Sequence, residues 1–446
     1  MLSLKKGDKI FLVGIGGAGM TALAYFLRKA GFEIAGSDIL KSQNVEKLIK
    51  DGFTVYPQHS SDNVLGSKLV IYTSAVKKDN KEIVAAKKLG IKAINRAVAI
   101  KLISREFNCM IAVSGTHGKT TAATMIYHIF NQSGFAPSTL IGGDFDGYSG
   151  GIYRKKGYLI TEACEYAKTF LKLRPHIGVI LNIDNDHLEV YKTRKRLERA
   201  FKRFSRKSQK KIIYSGCKGV NFKNAVTFGL RATDKYRAKR LKENKGYYSF
   251  DLYISGVFSK RINLKIPGKH NVLNALSAIA VAAEQGLDIK DIKSAVESFT
   301  GVKRRFEKIY QGKKITLYDD YAHHPAEIET VIDIARSEGY NNLTLIFQPF
   351  TFSRTKLLFS DFVHVLKKAD KVIICPIMGG REKNKYGVCS EQLVNNLKNA
   401  VFAEDFDCAA DIALKESGEN ECIVTVGCGN VYEVGKKIVA KESFSE

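Results

Sequence analysis

Short apolar runs recur along the chain, and most end on glycine or small polar residues just before a helical pattern begins. Lys9-Ile10-Phe11-Leu12-Val13-Gly14 reads as a buried strand, and the stretch from Met20 to Lys29 reads as the helix that follows it. The alternation continues with strands at Glu33–Gly36, Leu69–Tyr72 and Lys92–Ile94, and a helix at Asn80–Leu89. A second series opens with the strand Cys109–Val113 and the helix Ala122–Gln132, which Gly134 ends. Strands at Leu159–Glu162 and Ile177–Asn182, a β-rich region over Lys211–Leu264 and a helix at Val272–Gln285 complete it. Past a charged hinge, Gly301–Glu307, a third series alternates strands at Ile315–Tyr318, Leu343–Phe347, Lys371–Cys375 and Ile423–Gly427 with helices at Glu327–Ser337, Lys356–Leu366 and Glu391–Lys398. Strands separated by helices predict parallel sheets. The expected fold class is therefore α/β in three domains: a Rossmann-like N-terminal domain over 1–103, a central P-loop-type ATPase domain with a mostly parallel sheet over 104–304, and a Rossmann-like C-terminal domain over 305–446.

Length supports that division, because 446 residues exceed what one ordinary core organises. No apolar run approaches the ~18 residues of a membrane helix, and the polar start, Met1 to Asp8, predicts no signal peptide and a cytoplasmic protein. Eight cysteines without metal spacing read as reduced thiols. The net charge of +26 suits anionic substrates, and it also admits a polyanion-binding protein switched by ATP. The densest basic segments, Lys192–Lys211 and Arg237–Lys245, read as solvated helix or loop surface. No zinc finger, RNP motif or helix-turn-helix accompanies them, so nucleic acid is not expected as the main partner.

Chemistry concentrates at strand ends. Ser114-Gly115-Thr116-His117-Gly118-Lys119-Thr120-Thr121 lies between a strand and a helix. Small residues let such a loop wrap phosphate oxygens, and the helix N-terminus favours the same anion. Lys119 reaches outer phosphates, and the Thr120 hydroxyl suits a magnesium ligand. Gly14-Ile15-Gly16-Gly17-Ala18-Gly19 is a GxGxxG loop, with Asp38 near the spacing of a ribose-binding acid. Alone it would suit a nicotinamide dinucleotide equally well. That reading leaves Lys119, Glu162 and His187 idle. Glu162 ends an apolar strand where a carboxylate can hold the magnesium of ATP, and His187 lies just past another, at the edge where ligands bind.

Together these segments resemble the Mur ligase family of ATP-dependent amide-forming enzymes, over nearly the whole chain. Gly115 to Thr121 (Gly115, Thr116, His117, Gly118, Lys119, Thr120, Thr121) resembles the family's ATP site, Glu162-Ala163-Cys164-Glu165-Tyr166 its magnesium segment, and Asn182 through His187 its Asn-Ile-Glu-x-Asp-His block. Pro267 to Ala275 resembles its adenine-side segment, with Asn271 and Asn274, and Arg305 matches its hinge arginine. The resemblance implies UDP-N-acetylmuramate, L-alanine and ATP as substrates. It implies magnesium, or manganese, held by Thr120, Glu162 and His187. A sister branch, which adds a recycled murein tripeptide to the same acceptor, is the alternative within the family.

The resemblance also implies site residues. Gly14, Gly16, Gly17 and Gly19 would hold the UDP pyrophosphate, with Asp38, Ser74 and Arg96 as further contacts. Asp320 would meet the ATP ribose, and Tyr321, His323 and Arg354 would receive the amino acid. Lys119, His187, Arg305, Arg354 and His323 would carry the reaction, the two arginines arriving on domain closure. Phe350 and Thr351 stand where the family commonly has His and Arg, so binding of the amino-acid carboxylate falls to Arg354 and His323. Sister ligases carry a carbamylated lysine beyond the histidine block. Lys202 lies at that distance, in a segment that reads as a solvated helix face.

Overall fold

The computed structural model describes residues 4–184, 188–220, 222–380, 382–415 and 417–443. It divides into two compact units, Met1–Lys242 with Ser249–Val302, and Glu243–Tyr248 with Lys303–Glu446.

The first unit carries two sheets. One has five strands, in the order Thr54–Tyr56, Glu33–Ser37, Lys9–Val13, Leu69–Tyr72, Lys92–Asn95, all parallel. The chain starts in the middle and winds outward both ways, so the loop after Val13 lies at the switch point where ligands bind. The other sheet has ten strands. Its centre is Cys109–Ser114, flanked in parallel by Tyr158–Glu162 and Ile177–Ile180. The apolar runs Ile-Phe-Leu-Val and Met-Ile-Ala-Val are buried on both faces, as parallel strands covered by helices must be. One buried apolar cluster includes Leu12 and Ile71 of the first sheet and Ala112 and Leu159 of the second. That shared core explains why the two sheets form one unit.

At the far edge of the larger sheet, Tyr236–Asn244, Tyr247–Ile254 and Val257–Pro267 are joined by two-residue turns, Lys245-Gly246 and Ser255-Gly256. All four turn residues have positive φ, the geometry that matches hairpin twist. This corrects the reading of Arg237–Lys245 as helix or loop. Only Tyr236 and Ala238 alternate inward, and the rest of the strand is a largely exposed hairpin arm whose charges hide its period.

The second unit carries a six-stranded sheet in the order Glu307–Gln311, Ile315–Asp320, Glu421–Val426, Asn342–Phe347, Lys371–Ile374, Ala400–Phe402. Its first pair is antiparallel and the others are parallel. Two predicted helices differ. Lys356–Leu366 is two helices, Phe352–Leu357 and Phe359–Leu366, because Leu358 leaves helical geometry at φ −107° and ψ 22°. The helix foreseen at Glu391–Lys398 spans only Ser390–Val394, since the asparagines that follow favour turns. All eight cysteines are free thiols. Among the described residues no helix is long and apolar enough to cross a membrane.

Candidate active site

The phosphate loop is built by a strand that stops at Ser114 and a helix that starts at Lys119. The helix begins three residues before the expected Ala122, so Lys119, Thr120 and Thr121 lie in its first turn. Gly118 precedes it with φ +79°, and a Cβ there would stand 2.6 Å from Asn274 Oδ1. Only glycine satisfies both demands.

Asn182, at the end of the neighbouring strand, pins the loop. Its Oδ1 accepts from His117 N–H at 2.9 Å, and its Nδ2 donates to the His117 carbonyl at 3.0 Å. Thr116 Oγ1 accepts from the Asp184 N–H at 2.9 Å. The amide of Asn182 thus holds both backbone groups of one loop residue, leaving other loop N–H groups to face an anion.

Lys119 folds back onto this loop. Its Nζ donates to Gly115 O at 2.5 Å and Thr116 O at 2.9 Å, and pairs with Glu165 Oε1 at 3.1 Å. Burial alone would lower the ammonium's pKa, but Glu165, with Cys164 and Glu162 adding to it, holds it above the ordinary lysine value. Lys119 is therefore a charged, largely dehydrated cation at the start of the helix, where Coulomb attraction is strong. Glu162 ends the strand on the other side, and its Oε1 accepts from Gly142 N–H at 3.0 Å. His187 lies outside the described residues. Asn271 Nδ2 donates to Pro267 O at 2.6 Å and Asn274 Nδ2 to Asn271 Oδ1 at 2.8 Å, so this pair buttresses Gly118.

On the first sheet, a Cβ at Gly16 would meet Val45 Cγ2 at 2.5 Å, and one at Gly19 would stand 2.0 Å from Arg96 Nη1. Gly14 has φ +79°, and Gly17 precedes the helix Ala18–Lys29. Asp38 is buried, and its carboxylate accepts from Gly16 N–H at 3.0 Å and Leu40 N–H at 3.1 Å. Asp38 thus braces the glycine loop from behind. Ser74 Oγ accepts from Asn95 Nδ2 at 2.9 Å, and Asn95 also caps the helix that begins at Arg96. One cleft is lined by Ser74, Arg96, Glu162, Cys164, Tyr166 and Phe170, among others. It brings the predicted sugar-nucleotide residues of the first sheet beside the predicted metal carboxylate of the second. Burial pushes the Cys164 thiol up to about 11, which keeps it protonated and inert.

In the second unit, adjacent arginines divide their work. Arg304 is committed to Asp319 Oδ2 at 2.8 Å and Gly427 O at 2.8 Å. The Arg305 guanidinium lies 5.4 Å from the centre of the Tyr321 ring, which Arg304 also approaches, at 5.1 Å. Arg304 and Phe306 flank it with φ +59° and +50°, a strained segment that fixes how Arg305 is presented. Asp320 holds that segment by accepting from Phe306 N–H and Ala322 N–H, both at 2.7 Å. Burial pushes its carboxyl up to about 6, against the pull of Arg305. His323 Nδ1 is 3.0 Å from the Tyr321 carbonyl, so it carries the proton and leaves Nε2 as an acceptor. Burial lowers the pKa of His323, Arg354 lowers it further, and Glu327 opposes both. His324 instead caps the helix Pro325–Ser337. Thr351 sits at φ 64° and ψ 136°, a region glycine normally occupies, and caps the short helix that carries Arg354.

Asn182 and Glu165 lie inside the sequence motifs, but nothing in the motifs marks what they do. Their contacts reach the phosphate loop from 65 and 46 residues away, which no local pattern reveals.

Comparison with known proteins agrees with this geometry. The family models described as "Mur ligase family, catalytic domain", "Mur ligase middle domain" and "Mur ligase, glutamate ligase domain" match residues 9–108, 113–282 and 304–429. The UDP-N-acetylmuramate–L-alanine ligase of Caldanaerobacter subterraneus subsp. tengcongensis is 38% identical over 98% of this chain and 98% of its own. That of Caldicellulosiruptor bescii is 38% identical over 97% of this chain and 100% of its own. The crystal structure of a UDP-N-acetylmuramate–alanine ligase from Thermotoga maritima superposes with a TM-score of 0.86 at 30% identity, covering 98% of this chain and 100% of that one. The phosphate loop, the strand-end glutamate, the hinge arginine and these full-length likenesses agree: the chain belongs to the Mur ligase family.

Proposed function

We propose that the chain joins L-alanine to the lactyl carboxylate of UDP-N-acetylmuramate, at the expense of ATP, in peptidoglycan precursor synthesis. The observation that carries this reading is the single cleft lined by Ser74, Arg96 and Glu162. A sugar nucleotide held by the glycine loop of the first sheet would direct its carboxylate toward the phosphate end of the second.

In this reading a carboxylate oxygen attacks the γ-phosphorus of ATP, ADP departs, and an acyl phosphate forms. The alanine amine then attacks the acyl carbon, the C–O bond breaks, and phosphate leaves. Carboxylate and ATP repel each other, so the first step needs fixed positive charge. Lys119, dehydrated and held charged, supplies it at the γ-phosphoryl oxygens. Thr120 and Glu162 present hard oxygen donors beside the loop and fit magnesium, with manganese as the other candidate. Bound there with His187, the ion would neutralise phosphate oxygens. Asn271 and Asn274 border the adenine side, and Asp320 the ribose.

The incoming amine must lose a proton as it attacks. Neutral His323, with Nδ1 donating to Tyr321, offers Nε2 to take it, and Arg354 receives the amino-acid carboxylate. Arg305 adds charge at the phosphates. The domain limits 1–103, 104–304 and 305–446, a cytoplasmic location, and small anionic substrates in place of nucleic acid belong to the same reading.

The test is product formation from ATP and UDP-N-acetylmuramate with L-alanine, glycine, L-serine or murein tripeptide offered singly. L-alanine is expected to give the largest kcat/KM. A preference for tripeptide would move the chain to the recycling branch.

A further inference from the structure

The helix Arg194–Lys207 is one of the most basic segments of the chain, and the reaction described above does not use it. Its apolar side is fully spent, with Leu197, Ala200, Phe201 and Phe204 buried. Phe201 and Phe204 pack on Phe170 with ring centroids 5.2 Å apart, and Phe170 lines the substrate cleft on its other side. The outward side exposes Arg196, Arg199, Arg203 and Arg206, and its one acid, Glu198, pairs with Arg194 at 3.1 Å. Lys207 donates to the carbonyl of Leu171, the chain neighbour of the cleft residue Phe170. Desolvation and the charges of Arg203, Arg174 and Lys101 hold its ammonium below the ordinary lysine value. Along the helix itself, eight basic side chains stand against one acid. Lys101 and Arg174 are chain neighbours of Ile100 and Leu173, which line the cleft.

We propose that this cationic face, Arg203, Arg206 and Lys207 with Arg174 and Lys101, steers an anionic sugar nucleotide into the cleft that holds Ser74 and Arg96. The identity of that ligand rests on the function proposed above. Crowded like charges cost folding energy, and a ligand arriving with a diphosphate and a carboxylate relieves that cost during encounter. One-signed charge beside a low-dielectric cleft raises local ligand concentration and association rate, and salt screens it over about 10 Å at 0.1 M. The helix exposes no aromatic side chain for stacking bases, which disfavours single-stranded nucleic acid as the partner.

The experiment compares R174Q/R203Q/R206Q with K87Q/K88Q/K92Q, using UDP-N-acetylmuramate at saturating ATP and L-alanine. Lys87, Lys88 and Lys92 are exposed where the strand Lys92–Asn95 begins, at the sheet edge opposite Ser74 and Arg96. The arginine variant should lose about fivefold in kcat/KM for the sugar nucleotide at low ionic strength. Its kcat should hold, its salt dependence should flatten, and it should converge with the parent at high salt. The lysine variant should follow the parent throughout. Equal losses in both variants, or unchanged salt slopes, would overturn steering while leaving the ligase reading intact. A parent that does not turn over UDP-N-acetylmuramate overturns the ligase reading first. Salt-sensitive binding of RNA, lost in the arginine variant without any change in kcat/KM, would assign the face to another partner.

Discussion

Lys119→Met should lower ligase turnover about 1,000-fold, the scale of losing a preorganised charge at a developing anion. Two causes combine. The γ-phosphoryl group loses the cation that offsets its charge while a carboxylate approaches. The buried Glu165, paired to Lys119 at 3.1 Å, loses its counter-ion as well. Breaking a buried pair from one side costs about 3–5 kcal/mol, so the variant should also be less stable. The double variant Lys119→Met with Glu165→Gln separates the causes. It removes the orphaned charge, so thermal stability should return toward the parent while turnover stays low. Recovery of turnover with stability would mean that Lys119 serves folding and not phosphoryl transfer.

Gly151→Ala should destabilise the first unit by about 3 kcal/mol, near the upper end for an overpacked core site. Gly151 belongs to the edge strand Gly151–Ile152 of the larger sheet, and a Cβ there would lie 1.8 Å from the carbonyl oxygen of Ala22. Ala22 is in the helix Ala18–Lys29 that follows the glycine loop of the other sheet. The obstacle is backbone, so no rotamer change relieves it, and the helix must move away from the strand. A melting midpoint lowered by roughly 6–12 °C is expected. Because Gly17 caps the same helix and Gly19 lies in its first turn, KM for the sugar nucleotide should rise as well. An unchanged melting midpoint would show that the two sheets do not meet at this seam.

The apolar runs made the central strands legible because both faces of a parallel sheet are buried, and Phe11, Val113 or Val424 could sit nowhere else. The phosphate loop was legible because glycine, lysine and hydroxyl side chains at that spacing serve one chemistry. What escaped was set by contacts across the chain. Lys119 to Thr121 read as loop because their polarity interrupts the apolar pattern, yet the helix starts there. Thr54–Tyr56 and Gly151–Ile152 are too short to show a period. The hydrogen bond from Gly16 N–H to the Asp38 carboxylate spans 22 residues, and no local pattern announces it. The roles of Asn182 and Glu165 come from partners in the phosphate loop, which only the folded sheet brings near.

The most direct test of the ligase reading follows one oxygen atom. UDP-N-acetylmuramate labelled with oxygen-18 in its lactyl carboxylate is turned over with ATP and L-alanine, and the released phosphate is analysed by mass. Attack of the carboxylate on the γ-phosphorus predicts one labelled oxygen in each phosphate, with no release when either the sugar nucleotide or ATP is omitted. Unlabelled phosphate, or release without the sugar nucleotide, would contradict the account.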